Sequence, residues 1–195
     1  MPVTRDSLMT LEAYARMRQE FRAKVMEHKK TRKMHLGEHV TLIFEDEFTI
    51  RYQIQEMLRV ERIFEEEGIQ DELQAYNPLI PDGSNWKATM LIEYPDVEQR
   101  KNMLARLKGI ERKVWVKIAG HVPVYAIADE DLERDDGEKT AAVHFLRFEL
   151  TPQMAQALKN GAGLAMGIDH AAYQVVVESV DPAVRGSLLK DLRLS

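Results

Sequence analysis

Glu61 is the most unusually placed polar residue in the chain. Between residues 46 and 67 the apolar positions Ile50, Ile54, Met57 and Phe64 recur three and four apart, and Glu61 falls on their stripe. A carboxylate on a buried helix face must pair, accept hydrogen bonds or keep its proton, because an isolated buried charge is too costly. Gln53, Gln55, Glu56, Arg59 and Arg62 surround it, and Tyr52, Glu56 and Arg59 share a neighbouring face at offsets of four and three. Two kinds of chemistry fit these residues. One is an ion-pair network that clamps this helix to a basic N-terminal helix. The other is a pocket in which an acid and one or two arginines meet an anionic ligand or move a proton, the basis of a small-molecule enzyme built around Glu56, Arg59, Glu61 and Glu93.

Two further clusters lie at strand ends, where loops commonly carry sites. One is Asn85-Trp86-Lys87 with Glu93 and Tyr94 on the strand that follows; the other is Asp169-His170 with Tyr173. An imidazole at His170 oriented by Asp169 would be a general base, although adjacent strand residues point to opposite faces. His35 and His39 are four apart, but Gly37 interrupts any helical face between them and the basic run Lys29 to Lys33 repels a cation, so no metal site is expected. The glycines 161, 163 and 167 follow a helix and precede a strand, the reverse of a dinucleotide fingerprint, and read as a helix stop and a turn. No Glu-x-x-His pair, phosphate-binding loop or Gly-x-Ser-x-Gly elbow occurs.

The chain has no cysteine, which removes disulfides, thiolate nucleophiles and sulfur-ligated zinc or iron–sulfur clusters together. No cofactor is expected on these grounds. The net charge of -5 gives no basis for general nucleic-acid binding. Its distribution is uneven: residues 1 to 40 hold nine Lys/Arg against five Asp/Glu, a local +4, so the rest of the chain carries -9. The N-terminus lacks the basic stretch and apolar run of a signal peptide, and no stretch reaches the length of a membrane span, so a cytoplasmic protein without membrane contact is expected.

These side chains must be positioned by an α+β fold: a helical N-terminal half packed on a mainly antiparallel C-terminal sheet. At 195 residues one domain is expected, with a helical subregion to about 76, a loop over 77–85 and a sheet-rich remainder. Leu11, Tyr14, Phe21, Val25 and His28 predict a helix over 10–33, with Thr10 as its N-cap and Gly37 ending the segment. A short strand follows at 39–45, then a helix from 46 to 67 stopped by Gly68, and a short helix over 69–76. Strands are expected at 87–94, 113–119, 121–128, 140–150 and 164–179 with a break, and helices at 96–108, 152–160 and 182–192. Thr151-Pro152 and Asp181-Pro182 each place a capping side chain before a proline at the first helical position. The acid-rich stretch 129–138 reads as a solvated connection.

The stretches Thr4 to Leu8, Arg51 to Arg62, Tyr76 to Pro81 and Met90 to Pro95 resemble the bacterial family catalogued as domain of unknown function 3501, over nearly the whole chain. The resemblance implies no activity. It does imply a context, because such proteins are similar to those encoded beside rubrerythrin-like and iron–sulfur heterodisulfide-reductase-like proteins. A cysteine-free chain in that setting is expected to be a non-catalytic accessory or binding component whose partners carry the metal centres. The small-molecule enzyme is the alternative. A structural homodimer, joined through the N-terminal helix stripe, is the third reading.

Overall fold

The computed structural model describes residues 1–128 and 139–193, so the acidic stretch 129–138 lies outside the described residues. The fold is α+β. Helix α1 (Leu11–Lys29) opens on Thr10, whose hydroxyl accepts the Ala13 N–H at 3.2 Å. Its inward stripe is Leu11, Tyr14, Arg18, Phe21, Val25 and His28, as the spacing predicts, with Arg18 an added polar member. Helix α2 (Glu47–Val60) packs against that stripe within the same chain. Asp46 caps α2 in a reciprocal box with Thr49, at 3.0 Å each way.

Between these helices runs a hairpin of β1 (Lys33–Leu36) and β2 (Val40–Phe44). Only β2 is expected from the sequence; Lys33 is the last residue of the anticipated helix, and no element is anticipated for 34–36. The hairpin pairs with β3 (Asn85–Ile92), and β6 (Val143–Glu149) completes an antiparallel sheet in the order β1-β2-β3-β6. A second antiparallel sheet has the order β5-β4-β7-β8, from β4 (Val114–Ile118), β5 (Val124–Tyr125), β7 (Leu164–His170) and β8 (Tyr173–Val177). The anticipated single sheet is therefore two, and the N-terminal half supplies two strands of the first. Leu42, Phe44, Trp86, Val116, Phe148 and Met166, drawn from both sheets, belong to one buried core. Mutual hydrogen bonds of 2.8 Å between Ile127 and Arg147 join the sheets along one side.

The remaining helices are α3 (Glu66–Tyr76), α4 (Val97–Arg106), α5 (Pro152–Lys159) and α6 (Pro182–Leu189). Thr151 and Asp181 cap α5 and α6 as expected. Trp86 is fully buried and donates its indole N–H to the Leu188 carbonyl at 2.9 Å, which fastens α6 to β3. Val3, Leu8, Ile54, Leu58, Ile69 and Leu73 form a separate small core between the N-terminal segment, α2 and α3. Among the described residues no helix is long and apolar enough to cross a membrane.

The helix expected to run to Glu67 stops at Val60, and the left-handed residue that turns the chain is Arg62 (φ 55) rather than Gly68. Gly68 sits in the first turn of α3, where a Cβ would lie 2.7 Å from the Ile63 side chain. A glycine in that place marks close packing, which its type alone does not distinguish from a helix stop.

Gly37 turns the β1–β2 hairpin at φ 74, and a Cβ there would lie 2.5 Å from the Tyr173 hydroxyl. That hydroxyl donates to the Leu36 carbonyl at 2.6 Å and accepts the His39 N–H at 3.1 Å, tying the hairpin to the second sheet. Gly37→Ala is therefore expected to cost at least about 1 kcal/mol through backbone strain, plus the displacement of Tyr173. Urea denaturation of both proteins measures the difference; equal midpoints would contradict this account of the turn.

Candidate functional site

Tyr14 and Arg18 are one helical turn apart on α1, so both reach the same point on α2, which is Glu56. The Tyr14 hydroxyl donates to Glu56 Oε1 at 2.7 Å, and Arg18 donates from Nε to Oε1 at 2.7 Å and from Nη2 to Oε2 at 2.9 Å. Arg59, three residues on, adds a bond to Oε2 at 3.3 Å. The Arg18 bonds, helped by Tyr14 and Arg59 against the cost of burial, lower the Glu56 carboxyl to about 2. Burial and the adjacent carboxylate push the Tyr14 phenol far above its usual value. A carboxylate held this way orders two helices and has no proton affinity to spare for general-base work near neutrality. An aromatic group extends the contact: the Phe21 ring lies 6.0, 5.4 and 6.1 Å from those of Tyr14, Phe48 and Tyr52.

The other residues singled out on this helix separate from Glu56. Gln53 is exposed. Glu61 is an exposed residue at the C-cap and not a buried member of the stripe, because the helix ends before its side chain can turn inward. Arg62 is exposed in the left-handed turn. Besides the capping Thr49, α2 buries Gln55, which accepts the Met9 N–H at 2.7 Å and returns a bond to the Met9 carbonyl at 3.4 Å.

Glu93 lies in a different place, at the end of β3 beside the hairpin. Its N–H donates to the His39 carbonyl at 2.7 Å, its carboxylate accepts the Thr41 hydroxyl at 3.3 Å, and the His39 ring stacks on Tyr94 at 3.9 Å. Tyr173 reaches the same hairpin from the second sheet, so the hairpin draws Glu93 and Tyr173 together from two of the sequence clusters. His170 is engaged elsewhere. Its Nδ1 accepts the Ala172 N–H at 3.1 Å, which leaves Nε2 to donate to the Lys108 carbonyl at 2.9 Å. Asp169 is exposed on the strand. Asn85 accepts the Asp82 N–H and donates to Glu149, both at 3.1 Å, and the Lys87 ammonium donates to the Pro78 carbonyl. Trp86 is the core anchor already described.

Sequence reasoning missed a third cluster, a cleft of about 360 Å³ between the end of α1, the start of α2 and α6. His28 Nε2 meets Asp46 Oδ2 at 2.5 Å there, while the other Asp46 oxygen caps α2. Beneath them Arg32 is 1% exposed. Its guanidinium grips Asp191 through Nη1–Oδ1 at 3.1 Å and Nη2–Oδ2 at 2.6 Å, and donates to the carbonyls of Phe44, Glu45 and Ser187 at 3.0, 2.9 and 3.3 Å. Burial raises the Asp191 carboxyl above its usual value, with the Arg32 guanidinium opposing the rise only in part. The signal for Arg32 was its place two and four residues before Met34 and Leu36, the inward side of a strand. Among the described residues no three His, Asp or Glu side chains gather as a metal-binding group.

These features define an α+β protein of two antiparallel sheets with a helical layer, whose polar clusters are helix clamps, a hairpin knot and one open cleft. The chain belongs to the family described as "Protein of unknown function (DUF3501)", whose model matches residues 2–192. It is similar to a novel protein of unknown function from Burkholderia pseudomallei, known from a crystal structure, with 57% sequence identity and a TM-score of 0.94 over 99% of this chain and 100% of that one. No curated protein matches.

A clear pH signature follows from Glu56. Its carboxyl lies below the usual 4.5, so its contribution is complete above that pH and is lost as the pH falls toward about 2. Solvent screens the part-exposed arginines, so the contribution is about 1–2 kcal/mol rather than the full linkage value. Glu56→Gln should lower stability by that amount at pH 7 and flatten the acid limb of the stability profile. Chemical denaturation from pH 7 to pH 3 measures both, and parallel wild-type and variant profiles would contradict the clamp.

Proposed function

We propose that this protein is a non-catalytic accessory or binding component of a bacterial cytoplasmic redox or oxidative-stress system, whose partners carry the metal centres. The supporting observation is the closed state of Glu56. The carboxylate that the enzyme reading needs is bonded to Tyr14, Arg18 and Arg59 of its own chain. The absence of cysteine removes thiol-based chemistry independently. Rubrerythrin-like and iron–sulfur proteins are the partners this reading names. Complexes of this kind form through surfaces that need no catalytic group of the chain itself.

One observation favours a second reading. The His28–Asp46 pair at 2.5 Å faces an open cleft, an arrangement in which a carboxylate orients an imidazole toward a small molecule. A small-molecule enzyme would then work from that cleft, not from Glu56, Arg59, Glu61 and Glu93.

Purification from native cells at physiological salt distinguishes the two. The accessory reading expects an iron-containing protein in constant ratio with this chain through two successive columns. Material free of any iron protein, together with a melting midpoint raised by a small molecule and restored by His28→Ala, would replace it with the enzyme reading.

A further inference from the structure

The connection between α2 and α3 exposes what a soluble protein ordinarily hides. Arg62 takes a left-handed conformation (φ 55) that a non-glycine residue seldom adopts, and the turn it makes leaves Phe64 73% and Val60 60% exposed. Phe64 borders an apolar groove of about 280 Å³ whose walls include Met9, Leu11, Leu58, Ile63 and Ile69. An unpartnered phenylalanine beside an apolar groove is the form of an anchor site.

The charges around the groove say what fits. The turn and helix that supply Ile63, Phe64 and Ile69 to the groove also carry Glu61, Glu65, Glu66, Glu67, Asp71 and Glu72 against the single Arg62, and Glu12 stands on the groove wall itself. Arg5, also on the wall, is paired with Glu66 at 3.0 Å, so these two cancel and the other five acids of this stretch stand against Arg62. The Glu72 carboxyl is raised by partial burial and by repulsion from Glu61 and Asp71, a sign of the local acidic field. Such a rim repels the anionic headgroups of a membrane and the phosphates of nucleic acid. It attracts lysine and arginine.

We infer that this acidic-rimmed groove docks a basic amphipathic segment of a partner protein, with Phe64 and the groove taking its apolar side chains and the glutamates its cations. The mode is a helix or extended segment seated in a groove, with steering by opposite charge. The inference rests on the docking reading above and supplies it with a surface.

The test uses the full chain, ¹⁵N-labelled, and two synthetic amphipathic peptides of about 18 residues, one Leu/Lys and one Leu/Glu in the same pattern. The expected result is saturable shifts of the Leu11, Leu58, Ile63, Phe64 and Ile69 amides with the Leu/Lys peptide only. Phe64→Ala, at a solvent-exposed position, should weaken binding about tenfold. The double variant Glu65→Lys/Glu67→Lys should weaken it and make it less sensitive to salt. Shifts spread over the whole acidic surface, or unchanged by Phe64→Ala, mean generic charge attraction and overturn the proposal. Equal binding of the Leu/Glu peptide overturns it as well. Sedimentation of the free protein should give a monomer, whereas a dimer dissolved by Phe64→Ala would assign the groove to a second copy instead. A failed peptide experiment removes this groove and leaves the accessory reading to its own co-purification test.

Discussion

Arg32 carries a full charge into the interior, and the arrangement of the helices on the sheets follows from how that charge is met. Moving a guanidinium out of water costs several kcal/mol, and so does burying its carboxylate partner. The cost is offset only by the complete set of bonds found there: a bidentate grip on Asp191 and carbonyls from Phe44, Glu45 and Ser187. Those partners come from the end of β2, the junction before α2, and α6 with the turn that follows it. One side chain therefore fixes three elements that lie far apart in sequence. An apolar residue in its place could match the stability but would leave the register of these elements less defined.

Above this buried pair the polar contacts grade outward. Asp46 caps α2 and holds His28 at the lip of the cleft, and Glu56, farther along the same helix pair, ties α2 back to α1. The charges of the N-terminal helix are thus divided by face. Arg18 is used inside the fold, while Arg16 and Arg22 stay exposed. The acidic turn at residues 61–67 faces solvent with an exposed aromatic beside it. The residues that clamp the helices internally are thus distinct from the exposed Phe64 and the acids beside it.

Regular periodicity was legible in the sequence. The α1 stripe, the caps Thr10, Thr151 and Asp181, and the strands from β3 onward follow from local spacing and side-chain chemistry. Features set by tertiary contact were not. Strand β1 is only four residues long, starts where the anticipated helix ends, and is defined by its pairing with β2. Glu61 continued the apolar period on paper, but the left-handed Arg62 ends that period, and no local signal favours arginine in such a conformation. Glu56 and Arg59 were recognised together and are together, whereas Glu93 belongs with the hairpin because β3 carries it away from α2. The cleft stayed hidden because Arg32 sits in a run of cations that helix capping already explains.

The organising role of the buried ion pair is open to direct measurement by hydrogen–deuterium exchange of the wild type and Asp191→Asn, a near-isosteric change that removes the charge. The account predicts that the end of β2, the first turn of α2 and α6 lose protection together, while the paired strands β4 and β7 keep theirs. Loss confined to α6, or unchanged protection throughout, would contradict it.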